Sequence, residues 1–94
     1  MPHFRVAQVR RIGVELLIVP MAPAFGQQTS AAQTDLVNEL QAQAVKAELP
    51  GAVVPVWEFQ PGRLLFLARP ELQPALKGLT VARVRQMLNR DLSW

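Results

Sequence analysis

Residues 52–68, AVVPVWEFQPGRLLFLA, constrain what this chain can fold into more than any other stretch. Two short runs rich in β-branched, aromatic and leucine side chains flank Gln60-Pro61-Gly62. Proline at the second position of a turn pre-sets φ and glycine at the third accepts a positive φ, the pattern of a type II turn. The stretch therefore reads as a β-hairpin with its turn at residues 60–62. None of its side chains forms a reactive constellation, so it says more about architecture and leftover surface than about chemistry.

Back at the start of the chain, residues 4–9 alternate imperfectly. Phe4 and Val6 fall on one side and Arg5, Ala7 and Val9 on the other, which suits a half-buried edge strand, with residues 1–3 expected outside the fold. After Gly13, Val14-Glu15-Leu16-Leu17-Ile18-Val19 is apolar on both faces save Glu15 and reads as a central strand. Residues 20–29, with two prolines and a glycine, read as a loop. A helix is then expected from Thr29 or Ser30 to about Glu48. Ser30 and Gln33 have capping-box spacing, Leu36, Val37, Leu40, Ala44 and Ala47 give an apolar stripe, and Pro50-Gly51 supplies the stop. Pro74 and Gly78 break the region after the hairpin into a short turn and a final helix, from its cap at Thr80 to about Leu92.

One residue decides the expected topology. Pro55 lacks an N–H and is poorly tolerated in a central strand, so the strand that carries it is assigned to an edge. The expected fold is thus a single α+β domain over residues 1–94, β-β-α-β-β-α, with a four-stranded, mostly antiparallel sheet in the split βαβ arrangement, a long central helix and a C-terminal helix. The competing order sets the Val14 and Ala52 strands side by side in parallel.

Composition narrows function mainly by exclusion. The 94 residues include no cysteine, which removes disulfides and thiolate chemistry and permits a cytoplasmic setting. The longest apolar run, residues 16–22, contains a proline and falls far short of the roughly 20 residues of a membrane span. Arg5, Arg10, Arg11 and Glu15 break up any secretory-signal pattern. The net charge of +3 is split, with basic ends and an acidic middle. His3 has no metal-ligand spacing around it, and Glu15 and Glu58, the two carboxylates within strands, are read as solvent-facing or arginine-paired. No catalytic residue, metal ligand, cofactor or enzymatic activity is expected.

Two binding classes remain. Trp57, Phe59, Leu65, Leu67 and the terminal Trp94 are large apolar groups to leave in water, and a sheet apolar on both faces needs cover on both. They suggest a small interaction or accessory protein, a homodimer or a binder of another protein, with Trp57 and Phe59 on one hairpin face and Leu65 and Leu67 on another. The alternative is nucleic acid. Residues 78–90, GLTVARVRQMLNR, resemble the turn and second helix of a bacterial helix-turn-helix, within the segment 71–92. That resemblance implies base and phosphate contacts by Arg83, Arg85, Gln86 and Arg90. It departs from the pattern at Pro74, where the first helix should be, and at Lys77, a position usually apolar.

Overall fold

The computed structural model describes residues 3–61, 63–68, 70–76 and 78–93. In chain order the elements are β1 (His3–Arg11), β2 (Val14–Pro20), α1 (Ser30–Lys46), β3 (Ala52–Gln60), β4 (Arg63–Phe66), α2 (Gln73–Leu76), α3 (Val81–Met87) and β5 (Arg90–Ser93), with single 3₁₀ turns at Pro23–Gln27 and Pro70–Leu72. The strands form one sheet in the order β4-β3-β2-β1-β5. Strand β2 is its centre, as its two-sided apolar pattern requires, and Leu16, Leu17, Ile18 and Val19 are all fully buried.

Alternation sorts the core into two layers. On one face Val6, Leu17, Val19, Val53 and Leu92 meet Leu40 and Ala44 of α1, with Phe4, Leu36, Val37 and Leu49 packed around them. On the other, Ala7, Leu16, Ile18, Val54 and Val56 meet Ala75 and Leu76 of α2 and Val84 of α3. Alanine at 44 lets α1 lie close to the sheet. The helix begins with Thr29 as its N-cap, the Oγ1 accepting from Ala32 N at 3.1 Å. Gln33 does not close the expected capping box on Ser30: its Nε2 donates to Phe25 O at 2.8 Å and ties α1 to the preceding turn. The helix ends before Pro50, in a Schellman motif. Glu48 takes a φ of 59°, Glu48 N donates to Val45 O at 3.1 Å, and Leu49 N donates to Ala44 O at 2.9 Å.

The α+β class holds, but the sheet has five strands and is mixed, and the split order gives way to its competitor. β2 and β3 are parallel neighbours, Val19 opposite Pro55, and β4 takes the edge expected of β3. Backbone direction explains how an inner strand holds a proline. Pro55 O accepts from Leu67 N at 3.1 Å whereas Val56 O accepts from Met21 N at 2.7 Å, so the Pro55 backbone faces the β4 side. β4 ends at Phe66, opposite Val56. The missing N–H therefore falls opposite Leu67, just past the end of β4, where it forgoes only the return bond of that pair, and the β2–β3 ladder loses no bond.

Two further expectations are corrected. The final helix ends at Met87, not near Leu92, and the chain then pairs antiparallel with β1, Phe4 opposite Leu92. Asparagine and aspartate are weak helix formers, and the open side of β1 offers backbone partners that a continued helix would forgo. Leu92 thereby joins the α1 side of the core while Val84 stays on the other. β1 is consequently an inner strand rather than an edge, and His3 is its first residue. Pro74 sits in the first turn of α2, where a missing N–H would have had no partner anyway.

The β1–β2 connection carries visible strain. Arg11 pairs with Val14, leaving a two-residue loop in which Ile12 and Gly13 have φ of 52° and 72°. That is the sign pattern of a type I′ turn, which favours Asn-Gly and penalises a β-branched residue. Ile12 is 75% exposed and has little packing to lose. Ile12→Asn is therefore expected to stabilise the protein by about 1 kcal/mol, read as a higher urea midpoint with an unchanged slope. A lower midpoint would mean that Ile12 makes contacts which outweigh its backbone strain.

Candidate functional site

Sheet edges are where backbone groups without partners make a β-protein reactive toward other strands. Here two side-chain amides close parts of those edges. Beyond the end of β5, Asn89 Oδ1 accepts from Gln8 N at 2.8 Å and its Nδ2 donates to Gln8 O at 3.1 Å, while Asn89 N donates to Val6 O at 3.0 Å. Beyond the end of β4, Gln41 of α1 does the same for β3. Its Oε1 accepts from Val53 N at 3.0 Å and its Nε2 donates to Gly51 O at 3.1 Å. Each amide stands in for the peptide group that a longer neighbouring strand would have supplied. β5 exposes Arg90, Asp91 and Ser93, and Asp91 Oδ1 lies 3.2 Å from His3 Nε2 and 3.7 Å from Arg5 Nε. That edge is polar and charged.

β4 differs. With Leu67 N bonded to Pro55 O, the odd-numbered residues turn their backbone toward β3, and Leu64 and Phe66 turn theirs outward. The Leu64 and Phe66 side chains pack on the α2/α3 side of the core. Leu65 stands on the α1 side opposite Trp57, its cross-strand partner, which places Trp57, Leu65 and Leu67 on one face rather than on the separate faces expected from the sequence. Phe59 occupies a bulge between Glu58 and Gln60. Phe59, Leu65 and Leu67 are 63%, 42% and 39% exposed. Trp57 is only half-buried, held edge-on against Phe25 at 5.1 Å between ring centroids. A Cβ at Gly26 would overlap its indole at Nε1, so that glycine is what admits the ring. Gly62 of the expected turn and Trp94 lie outside the described residues.

α1 does not cover this end of the face. A cleft of about 530 Å³, walled by Thr34, Asn38 and Gln41 of α1 and by Leu67 and Glu71, separates it from the end of β4. On the opposite face a groove of about 550 Å³ runs beside the same strand, lined by Leu64, Phe66, Pro70, Pro74, Leu76 and Leu79. A smaller cavity, about 190 Å³, brings half-buried Glu58 and exposed Arg85 together with Pro20, Val56 and Val84 near the carboxyl ends of β2 and β3. Glu15 is exposed. Among the described residues no group of three His, Asp or Glu side chains could hold a metal ion, and no helix is long and apolar enough to cross a membrane.

The residues of the nucleic-acid reading are not gathered on one helix. Arg83, Arg85 and Gln86 are exposed on α3, which has seven residues, whereas Arg90 opens β5 and its Nη1 donates to Asn89 O at 3.0 Å. The roles of Gln41, Asn89 and Gly26 are not legible in the sequence, because an amide or a glycine within an ordinary helix or loop has no pattern that reveals its tertiary partner. No family model, curated protein or solved structure matches the chain.

Proposed function

We propose that this chain is a small non-enzymatic interaction protein that works by associating with itself through the α1-side surface of the β3–β4 hairpin. The observation that carries the reading is the placement of exposed Leu65 and Leu67 on one face with half-buried Trp57 on the outermost strand pair, with exposed Phe59 in the adjoining bulge. The helices cover both faces of the inner strands, so the driving force lies in this strip and not in a bare sheet face. Burying an aliphatic or aromatic side chain contributes about 1.5–3 kcal/mol, enough for a few such groups together to pair two chains. A twofold dimer is the simplest closed assembly.

Light scattering or sedimentation at micromolar concentration tests it. The expected result is a concentration-dependent approach to twice the chain mass, shifted toward the single chain by Leu65→Asp or Phe59→Asp. A strictly single-chain mass up to hundreds of micromolar would overturn it. The alternative, duplex DNA held by Arg83, Arg85, Gln86 and Arg90, draws support from the exposure of all four groups. α3 is only about 10 Å long, so their contacts would be chiefly to phosphate. Anisotropy with duplex DNA separates the two classes: affinity that persists at physiological salt and falls on Arg83→Ala would favour the DNA reading.

A further inference from the structure

We infer that the self-association proposed above, on which this inference rests, is an edge-to-edge pairing of two β4 strands, antiparallel and centred on Leu65, that joins the two sheets into one of ten strands. Three observations specify this arrangement. First, the outward backbone groups of β4 belong to Leu64 and Phe66. Hydrogen bonding between two copies must use these, and pairing Leu64 with Phe66 of the second copy uses all of them. Second, that register is self-compatible. Leu65 meets Leu65 across the twofold axis as a non-hydrogen-bonded pair, with Cα atoms about 4.5 Å apart. Leu64 and Phe66 meet beside the apolar groove on the other face. β5 is a poor candidate for the same pairing, since it exposes Arg90 and Asp91.

Charge supplies the third. The register sets Arg63 opposite Leu67 of the second copy. Leu67 shares its cleft with Glu71 on the α1 side of the sheet, the side onto which Arg63, an odd-numbered residue like Leu65, projects. Both Arg63 and Glu71 are exposed, and neither has an ion-pair partner among the described residues. Twofold symmetry brings each Arg63 toward the second copy's Glu71, once at either end of the seam, and keeps the two arginines about 13 Å apart. The contact involves fewer residues than the 20–30 a side of a standard interface. Association is accordingly expected in the micromolar range.

The chain has no cysteine, so a single introduced thiol reports its own neighbours. Under mild oxidation Leu65→Cys should form a reducible covalent dimer in high yield, because a non-hydrogen-bonded pair meets disulfide geometry. Leu67→Cys alone and Ile12→Cys, at the far hairpin, should stay near collisional background, while mixing Arg63→Cys with Leu67→Cys should give the mixed dimer. Independently, Arg63→Glu should weaken the dimer about tenfold and Arg63→Glu with Glu71→Arg should restore most of the loss. A dimeric mass without the Leu65→Cys cross-link or the charge-swap rescue would overturn this pairing and leave self-association standing. A single-chain mass with no cross-link would overturn both. The charge-swap arm stands if a cysteine variant fails to fold.

Discussion

Gly51→Ala is expected to destabilise the protein by about 3 kcal/mol. Gly51 has a φ of +121°, and a Cβ there would lie 3.0 Å from the Leu16 carbonyl carbon and 3.2 Å from the backbone nitrogens of Leu16 and Leu17. Those atoms belong to the central strand and cannot move aside. The close approach is a direct consequence of the parallel pairing, in which Ala52 sits opposite Leu16 just as the chain returns from α1. For 94 residues total stability is about 5–14 kcal/mol. The loss would lower the melting temperature by roughly 12–24 °C. Gly13→Ala is the control, since Gly13 has a φ of +72° but open space around its Cβ direction, and should cost only about 1 kcal/mol. Thermal and urea unfolding of the two variants isolate the contact contribution. Equal losses would mean that β3 does not enter beside Leu16.

Local pattern made some of this fold legible and hid the rest for definable reasons. The two-sided apolar run of β2, the alternation of Phe4 and Val6 against Ala7 and Val9, and the cap at Thr80 all act within a few residues, and all are seen in the structure, whereas the first helix is capped by Thr29 and not by the box on Ser30. Pro55 misled because a proline is excluded from a strand only where its N–H would be needed. That depends on which neighbour its backbone faces and where that neighbour ends, and neither is local. The stripe of Val81, Val84, Leu88 and Leu92 fits helical spacing throughout, so only the open side of β1 could reveal that Leu92 belongs to a strand. Among the candidate interface residues, Phe59, Leu65 and Leu67 are readable as large apolar groups near a turn. The face that Leu65 and Leu67 share with Trp57 is not, because the pairing of Trp57 with Leu65 follows from register.

The two amides at the sheet edges should be separable in their effects. Gln41→Leu keeps the bulk of the side chain and removes both hydrogen bonds, leaving Val53 N and Gly51 O partly buried without their partner. An unsatisfied buried group costs about 1–3 kcal/mol, and partial access of water brings the pair to about 2 kcal/mol in all. Asn89→Leu removes the corresponding bonds to Gln8, but at an exposed site where water replaces them readily, so about 1 kcal/mol is expected. The sites serve different strands, β3 and β1, on either side of β2, which places them roughly 10 Å or more apart. Their losses should then add to within about 0.5 kcal/mol in the double variant. Amide exchange gives the residue-level reading. Val53 should lose protection in Gln41→Leu alone and Gln8 in Asn89→Leu alone, while the β2 amides change only with global stability. Retained Val53 protection in Gln41→Leu would show that the β3 edge is closed by something other than this amide, and a loss well beyond additivity would show that the two edges open together as one unit.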